Sequence, residues 1–200
     1  MKNRYQRNNP GVFILVMIII MVCSCRRQDY VPKPHAYFRI DFPEKEYQQY
    51  DDSCPFEFAY PVYGRIVNDP KLSEPCWFNI EFPGYKGTIY LTYKEINQNF
   101  DVFLEDSWTI VYKKIAQKAD AVSTQEYIDP DHQVYGMIYD IKGNAASSVQ
   151  FFVTDSVNHF LKGALYFAVR PNQDSLAPAV SFFRTDVMHL IESLRWKEEN

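Results

Sequence analysis

Residues 77–93 read WFNIEFPGYKGTIYLTY, and residues 100–118 read FDVFLEDSWTIVYKKIAQK. In the first stretch Phe78, Ile80 and Phe82 alternate with Trp77, Asn79 and Glu81, and Ile89, Leu91 and Tyr93 alternate with Thr88, Tyr90 and Thr92. A period of two puts successive side chains on opposite faces of a strand. Pro83-Gly84 and Lys86-Gly87 interrupt the run, so it reads as two antiparallel strands and their connection. In the second stretch Phe100, Phe103, Leu104, Trp108, Val111 and Ile115 recur at three and four, which predicts an amphipathic helix. Asn99 or Asp101 is expected to cap it. Asp101 and Glu105 suit its positive end, and Lys113, Lys114 and Lys118 its negative end.

The same reading extends outward. Upstream, Phe56, Phe58 and Tyr60 face away from Pro55, Glu57 and Ala59 in a further half-buried strand. Downstream, strands are expected at about 121–128, 134–142, 146–154 and 159–169, divided by turn signals at Asp129-Pro130-Asp131 and Lys142-Gly143-Asn144. Tyr135, Met137, Tyr139 and Ile141 make one stripe. The last of these strands is apolar on both faces, so a central place in the sheet is expected. Leu176, Val180, Phe183, Val187, Leu190, Ile191 and Leu194 predict a closing helix, capped by Asp174 or Ser175, with Pro178 in its first turn. Strands, helix, strands, helix define an α+β class: a mostly antiparallel sheet covered by a mid-chain helix and a C-terminal helix. The layout resembles the PsbP-like α/β/α sandwich, a likeness of fold that carries no function.

The first 24 residues read differently. Lys2, Arg4 and Arg7 form a positive start, and Val12 to Val22 is an apolar run of eleven. That is about half the roughly 20 residues a membrane-spanning helix needs, and it describes an export signal. Val22-Cys23-Ser24-Cys25 then fits a lipobox. Cleavage before Cys25 leaves small Ser24 at the cut, whereas cleavage before Cys23 would leave bulky Val22. Cys25 is therefore the expected lipidated N-terminus of the mature chain, since acyl chains add about 0.8 kcal/mol of membrane affinity per buried CH₂. Residues 25–50, with Val31-Pro32-Lys33-Pro34, read as lipidated cysteine and extended tether. Residues 51–200 read as a single α+β domain.

Composition narrows the classes. The 200 residues are 46% hydrophobic and 16% aromatic with seven glycines, which excludes a disordered or linker-type chain. Net charge is −4, and losing the three basic leader residues makes it −7, so no nucleic-acid partner is expected. Cys54 and Cys76 remain after the leader. In an oxidising compartment they read as a disulfide, and closing a loop of about 23 residues contributes roughly 3 kcal/mol.

Candidate chemistry is thin. Ser147 or Ser148, Asp155 and His159 are the parts of an acyl-transfer triad, but no G-x-S-x-G elbow is present and Asp155 to His159 fit a hairpin connection. His35, His132, His159 and His189 lack ligand spacing, and Pro130 between Asp129 and Asp131 suggests a turn rather than a metal loop. No glycine-rich phosphate cradle follows a strand. No enzyme activity, metal or cofactor is expected. The many tyrosines suggest exposed aromatic surface for protein contacts or, less often, glycan stacking.

Several longer segments resemble one family. YVPKPHAYFRIDFPEKEY (residues 30–47), CPFEFAYP (54–61), PCWFNI (75–80), KADA (118–121), GNAASS (143–148) and DSVNHFLKGALYF (155–167) resemble the GldD family of gliding-motility lipoproteins of the Bacteroidota. The resemblance covers essentially the whole mature chain. It implies a non-enzymatic envelope lipoprotein, membrane-held through Cys25, that supports the gliding and type IX secretion machinery with other envelope proteins of that apparatus. Acidic runs after the lipidated cysteine resemble a surface-export signal of Bacteroidota lipoproteins. Arg26-Arg27-Gln28 lacks one, so a periplasm-facing protein is expected. The alternative expectation is a periplasmic ligand-binding lipoprotein for envelope maintenance.

Overall fold

Period-two alternation sorts the side chains of seven strands onto two faces, and the protein covers the two faces differently. The computed structural model describes residues 40–68, 74, 76–169 and 172–197, together with Gly11. The leader, Cys25, His35 and most of the tether lie outside the described residues.

In chain order the strands are β1 (Tyr47–Tyr50), β2 (Phe56–Pro61), β3 (Arg65–Val67), β4 (Trp77–Phe82) and β5 (Gly87–Glu95). Helix α1 (Phe100–Trp108) continues as a π-helical stretch (Thr109–Ile115) and a 3₁₀ turn (Ala116–Lys118). There follow β6 (Ala119–Asp129), β7 (Val134–Gly143), β8 (Ser147–Thr154), β9 (His159–Phe167), helix α2 (Gln173–Ser193) and β10 (Arg195–Trp196). The main sheet runs β3-β4-β5-β9-β8-β7-β6, with antiparallel neighbours throughout. As its two apolar faces require, β9 takes the middle place. The fold is α+β, with a mostly antiparallel sheet and two helices.

Phe78, Ile80, Phe82, Ile89, Leu91, Val149, Phe151, Leu161 and Leu165 point to one side. There they meet α2 through Ala179, Phe183, Val187, Leu190 and Ile191, and a small sheet of order β1-β2-β10 through Tyr50, Phe56 and Phe58. Aromatic rings fill this layer, with Phe82 and Phe183 centroids 4.5 Å apart and Tyr50 and Phe78 4.8 Å apart. Gly163 is required here, because a Cβ on it would overlap the Phe151 ring. On the other side α1 covers Tyr139, Ile141, Phe152 and Phe160. Toward β4, β5 and β9 hollows remain between the sheet and Ile110.

Several expectations need correction. The tether does not extend to residue 50. Phe42 stacks on Phe182 at 4.2 Å, and Tyr47–Tyr50 pairs with β2, so the folded body already includes the forties. The seam of α1 runs through Phe103, Ser107 and Val111, leaving Trp108 48% exposed. Ser107 is tolerated in that seam because its hydroxyl donates back to the Phe103 carbonyl at 2.9 Å. The cap of α2 is Asn172, whose side chain accepts from the Ser175 amide, rather than Asp174 or Ser175. The helix thus begins at Gln173 and Pro178 falls in its second turn, on an exposed face where water can serve the freed carbonyl. At the start of α1 neither expected residue caps. Asn99 stands at the cap position, but its carboxamide accepts from the Asn97 amide instead.

Cys54 and Cys76 are joined by a disulfide with Cα atoms 5.6 Å apart, fastening β2 to β4. It closes the segment that carries β3. Replacing both cysteines with alanine is expected to lower stability by roughly 3 kcal/mol, read as a shift of the urea midpoint at unchanged slope. A midpoint equal to wild type would remove the bridge from the account.

Candidate functional site

The triad parts do not assemble. In the β8–β9 hairpin Ser147 lies opposite Tyr166, while Thr154 lies opposite Phe160 at the turn end. Seven residues of strand, about 23 Å, therefore separate Ser147 from the turn that holds Asp155 and His159. Ser147 Oγ donates to the Leu165 and Val149 carbonyls at 2.9 and 3.1 Å. Ser148 lies beside it, lining a cleft with Asp140 and Arg184. Asp155 Oδ1 accepts from the amides of Val157, Asn158 and His159 at 2.8 to 2.9 Å, which is turn chemistry. His159 is buried, with Nδ1 2.8 Å from the Tyr93 hydroxyl and its ring stacked on Trp196.

The polar turns do converge. Asp131, His132, Asp155, His159 and Arg195 line one cleft at the sheet rim. His132 Nδ1 sits 2.7 Å from Asp129 Oδ2, and that bond holds the Asp129 carboxyl below its usual range. Among the described residues, no group of three or more His, Cys, Asp or Glu is placed to hold a metal.

Two arrangements were not legible in the sequence. The first is a buried carboxylate. Asp186 on α2 is fully enclosed and accepts three bonds: from Lys45 Nζ at 2.7 Å and Tyr47 OH at 3.1 Å on Oδ1, and from Tyr63 OH at 2.7 Å on Oδ2. Lys45 also donates to the Phe182 carbonyl at 3.0 Å and lies over the Phe182 ring, 3.2 Å from its centroid. Tyr47 stacks on His189 at 3.6 Å. The lead-in is thus locked to α2 by charge, hydrogen bonds and rings together. The periodicity places Asp186 beside the apolar stripe, but nothing local tells which distant donors reach it.

This cluster makes the fold sensitive to alkali. Burial, then Asp186, pushes the Tyr47 hydroxyl up to about 12, and burial, then Asp52, pushes Tyr50 up to about 12. Burial and the bond to Asp186 push Tyr63 further up. A raised tyrosine pKa means that the native state keeps a proton the unfolded chain loses near pH 10. The contribution is full below pH 10 and is lost as pH climbs toward about 12. Lys45, lowered by burial against the pull of Asp186, has the opposite sign, but it is one group against three. The urea midpoint is expected to fall between pH 10 and 12, and Tyr63→Phe should flatten that fall. A level midpoint across this range would contradict the assignment.

The second arrangement is a groove on the α1 side of the sheet. Cross-strand register sets Asn79, Tyr90, Ala164, Gln150 and Tyr139 in one row, and Trp77, Thr92, Lys162, Phe152 and Met137 in the next. Small Ala164 in the first row makes the floor of a hollow of about 420 Å³, walled by Tyr90, Ile110 and Tyr166. A second hollow of about 240 Å³ shares Thr92, Ile110 and Lys162 with it and reaches Trp77 and Phe103. Gln150 is buried, and among the described residues its Nε2 has no hydrogen-bond partner. Burial lowers the Lys162 ammonium from its ordinary value, with Asp106 opposing and Lys94 and Lys114 adding to the effect.

Helix α1 and its π-helical continuation carry exposed rings, one of which, Tyr112, also meets the Tyr139 ring edge-on at 6.2 Å. Trp108 and Tyr112, 48% and 36% exposed, lie 5.3 Å apart, and Lys113 Nζ sits 5.4 Å from the Trp108 ring centre. Among the described residues, exposed tyrosines are found only here and at Tyr90. Most of the other described tyrosines are half-buried, and Tyr50 and Tyr139 are buried.

The molecule is therefore an α+β fold in which the Asp186 cluster ties the lead-in to α2 and hollows lie between the sheet and Ile110. The model of the gliding motility lipoprotein GldD family matches residues 27–196, and the chain belongs to that family. The family is one of lipoproteins associated with gliding motility. The solution structure of cyanobacterial PsbP (CyanoP) from Synechocystis sp. PCC 6803 is similar at 14% identity and a TM-score of 0.45, covering 77% of this chain and 94% of that one. No curated protein matches.

Proposed function

We propose that this protein is a non-enzymatic envelope lipoprotein that docks another envelope protein and so supports assembly or stability of the gliding and type IX secretion machinery. Lipid on Cys25 holds it to the inner or outer membrane, facing the periplasm. The lead-in that follows Cys25 gives the anchor its connection to the body, and the Asp186 lock fastens its Lys45 and Tyr47 to α2.

The observation that carries the reading is the exposed Trp108–Tyr112 pair on α1 and its π-helical continuation. Exposed Trp and Tyr beside a cation are the side chains that anchor protein interfaces. The membership in a gliding-motility lipoprotein family supplies the context. Trp108→Asp with Tyr112→Asp, introduced on the chromosome, is expected to leave the protein folded and membrane-bound while gliding or type IX export is lost. Normal motility and export at wild-type protein levels would overturn the docking assignment.

A further inference from the structure

Strand β6 is a long sheet edge without the usual guards. It ends the seven-stranded order, and its eleven residues are mostly exposed. A sheet edge presents a row of unpaired backbone donors and acceptors, and proteins blunt it with lysine, proline, bulges or brevity. The opposite edge is blunted in this way, since β3 has three residues and opens on Arg65, which is ion-paired to Glu81. β6 has one irregularity, at Ala119–Ala121, and from Ala121 to Asp129 it pairs with β7 without interruption. Those nine residues, AVSTQEYID, hold no proline, lysine or arginine. Among the described residues, no backbone hydrogen bond reaches them from outside the sheet. Ile128, near the end of the stretch, is 67% exposed.

The stretch is complementary to itself. Antiparallel pairing of two copies along all nine residues is centred on Gln125, which then lies opposite its own counterpart. On the face shared with α1, Val122 meets the second copy's Ile128, and Thr124 meets the second copy's Glu126. On the other face Ser123 meets Tyr127, and Ala121 meets Asp129, whose carboxylate is already held by His132 of its own chain. Directly opposed side chains are the unit of sheet stability, and here two β-branched apolar groups meet while no acid faces an acid. Neighbouring registers lose this. Centring on Glu126 sets two glutamates against each other, centring on Ser123 sets Glu126 against Asp120, and centring on Thr124 sets Ile128 against Asp120. A strand paired with its own copy makes a closed two-fold contact, and the blunted β3 edge gives further copies no equivalent place to add.

We propose that β6 is the surface through which two copies of this protein pair, joining their main sheets edge to edge in the register centred on Gln125. The two-fold axis of such a pair stands perpendicular to the sheet, so both α1 helices lie on one side of the joined sheet. The proposal does not rest on the docking assignment.

The full-length protein is tested in intact cells, with single cysteines added and a short bismaleimide as crosslinker. Cys54 and Cys76 are bridged and do not compete for it. Gln125→Cys is expected to give a dimer as the main product. Ser123→Cys alone should give little, because in this register it lies about 13 Å along the strands from its counterpart. Ser123→Cys in one tagged copy should instead join Tyr127→Cys in a second. Thr185→Cys on α2 should stay monomeric. Ile128→Lys, added to Gln125→Cys, should reduce the dimer at least fivefold at unchanged protein level. No dimer from Gln125→Cys above the Thr185→Cys background, or an undiminished dimer with Ile128→Lys, would overturn the pairing. Equal dimers from Ser123→Cys alone and from Gln125→Cys would overturn the register. A Gln125→Cys product with a different protein would overturn the choice of a second copy. Should Gln125→Cys fail to accumulate because Arg184 loses its amide partner, the Ser123→Cys and Tyr127→Cys combination decides alone.

Discussion

Asp186→Ala is expected to lower the unfolding free energy by about 3–5 kcal/mol, the cost of removing one partner from a buried ion pair. The side chain is 0% exposed, and Lys45 is 27% exposed, so solvent screens the pair little. Alanine would leave the Lys45 ammonium against the Phe182 ring without its counter-charge, and the Tyr47 and Tyr63 hydroxyls without their acceptor. Asp186→Asn keeps one acceptor oxygen and should cost less. Urea unfolding at neutral pH measures both. A loss below about 1 kcal/mol for the alanine variant would mean that water enters and serves the donors, and the lock would lose its standing.

The second large effect is topological. Cys25→Ala is expected to move the protein from the membrane fraction to the soluble periplasmic fraction. The acyl chains are the attachment this account invokes, and their affinity grows by about 0.8 kcal/mol per buried CH₂. Among the described residues no helix is long and apolar enough to cross a membrane. The variant should be made with an ordinary cleavable signal, because an uncleaved leader could itself hold the chain through Val12 to Val22. Persistent sedimentation of that leaderless variant with membranes would remove the lipid anchor from the account.

Much of the scaffold was legible because it depends on local periodicity. Phe78, Ile80 and Phe82 must share a face in any strand, and β9, apolar on both sides, could be central only if both faces were covered. The closing helix followed from Phe183, Val187, Leu190 and Ile191 for the same reason. What escaped depends on contacts distant in sequence. Lys45 and Tyr47 look like solvated tether residues until Asp186, some 140 positions later, is placed beside them. Ser107 hid the seam of α1 because a back-bonded hydroxyl behaves as a small buried group, and the apolar count favoured Trp108 instead. Gln150 and Lys162 alternate with apolar neighbours, so their sharing the α1 face of the sheet could be read only from the cross-strand register.

The docking claim is tested most directly by a photo-crosslinking residue placed at position 108 of the chromosomal protein, with a second at exposed Thr185 on α2 as control. Irradiation of intact cells is expected to join position 108, and not position 185, to an envelope protein whose removal also stops gliding or type IX export. Equal adducts from both positions, or no protein adduct from position 108 while the variant remains functional, would contradict the account.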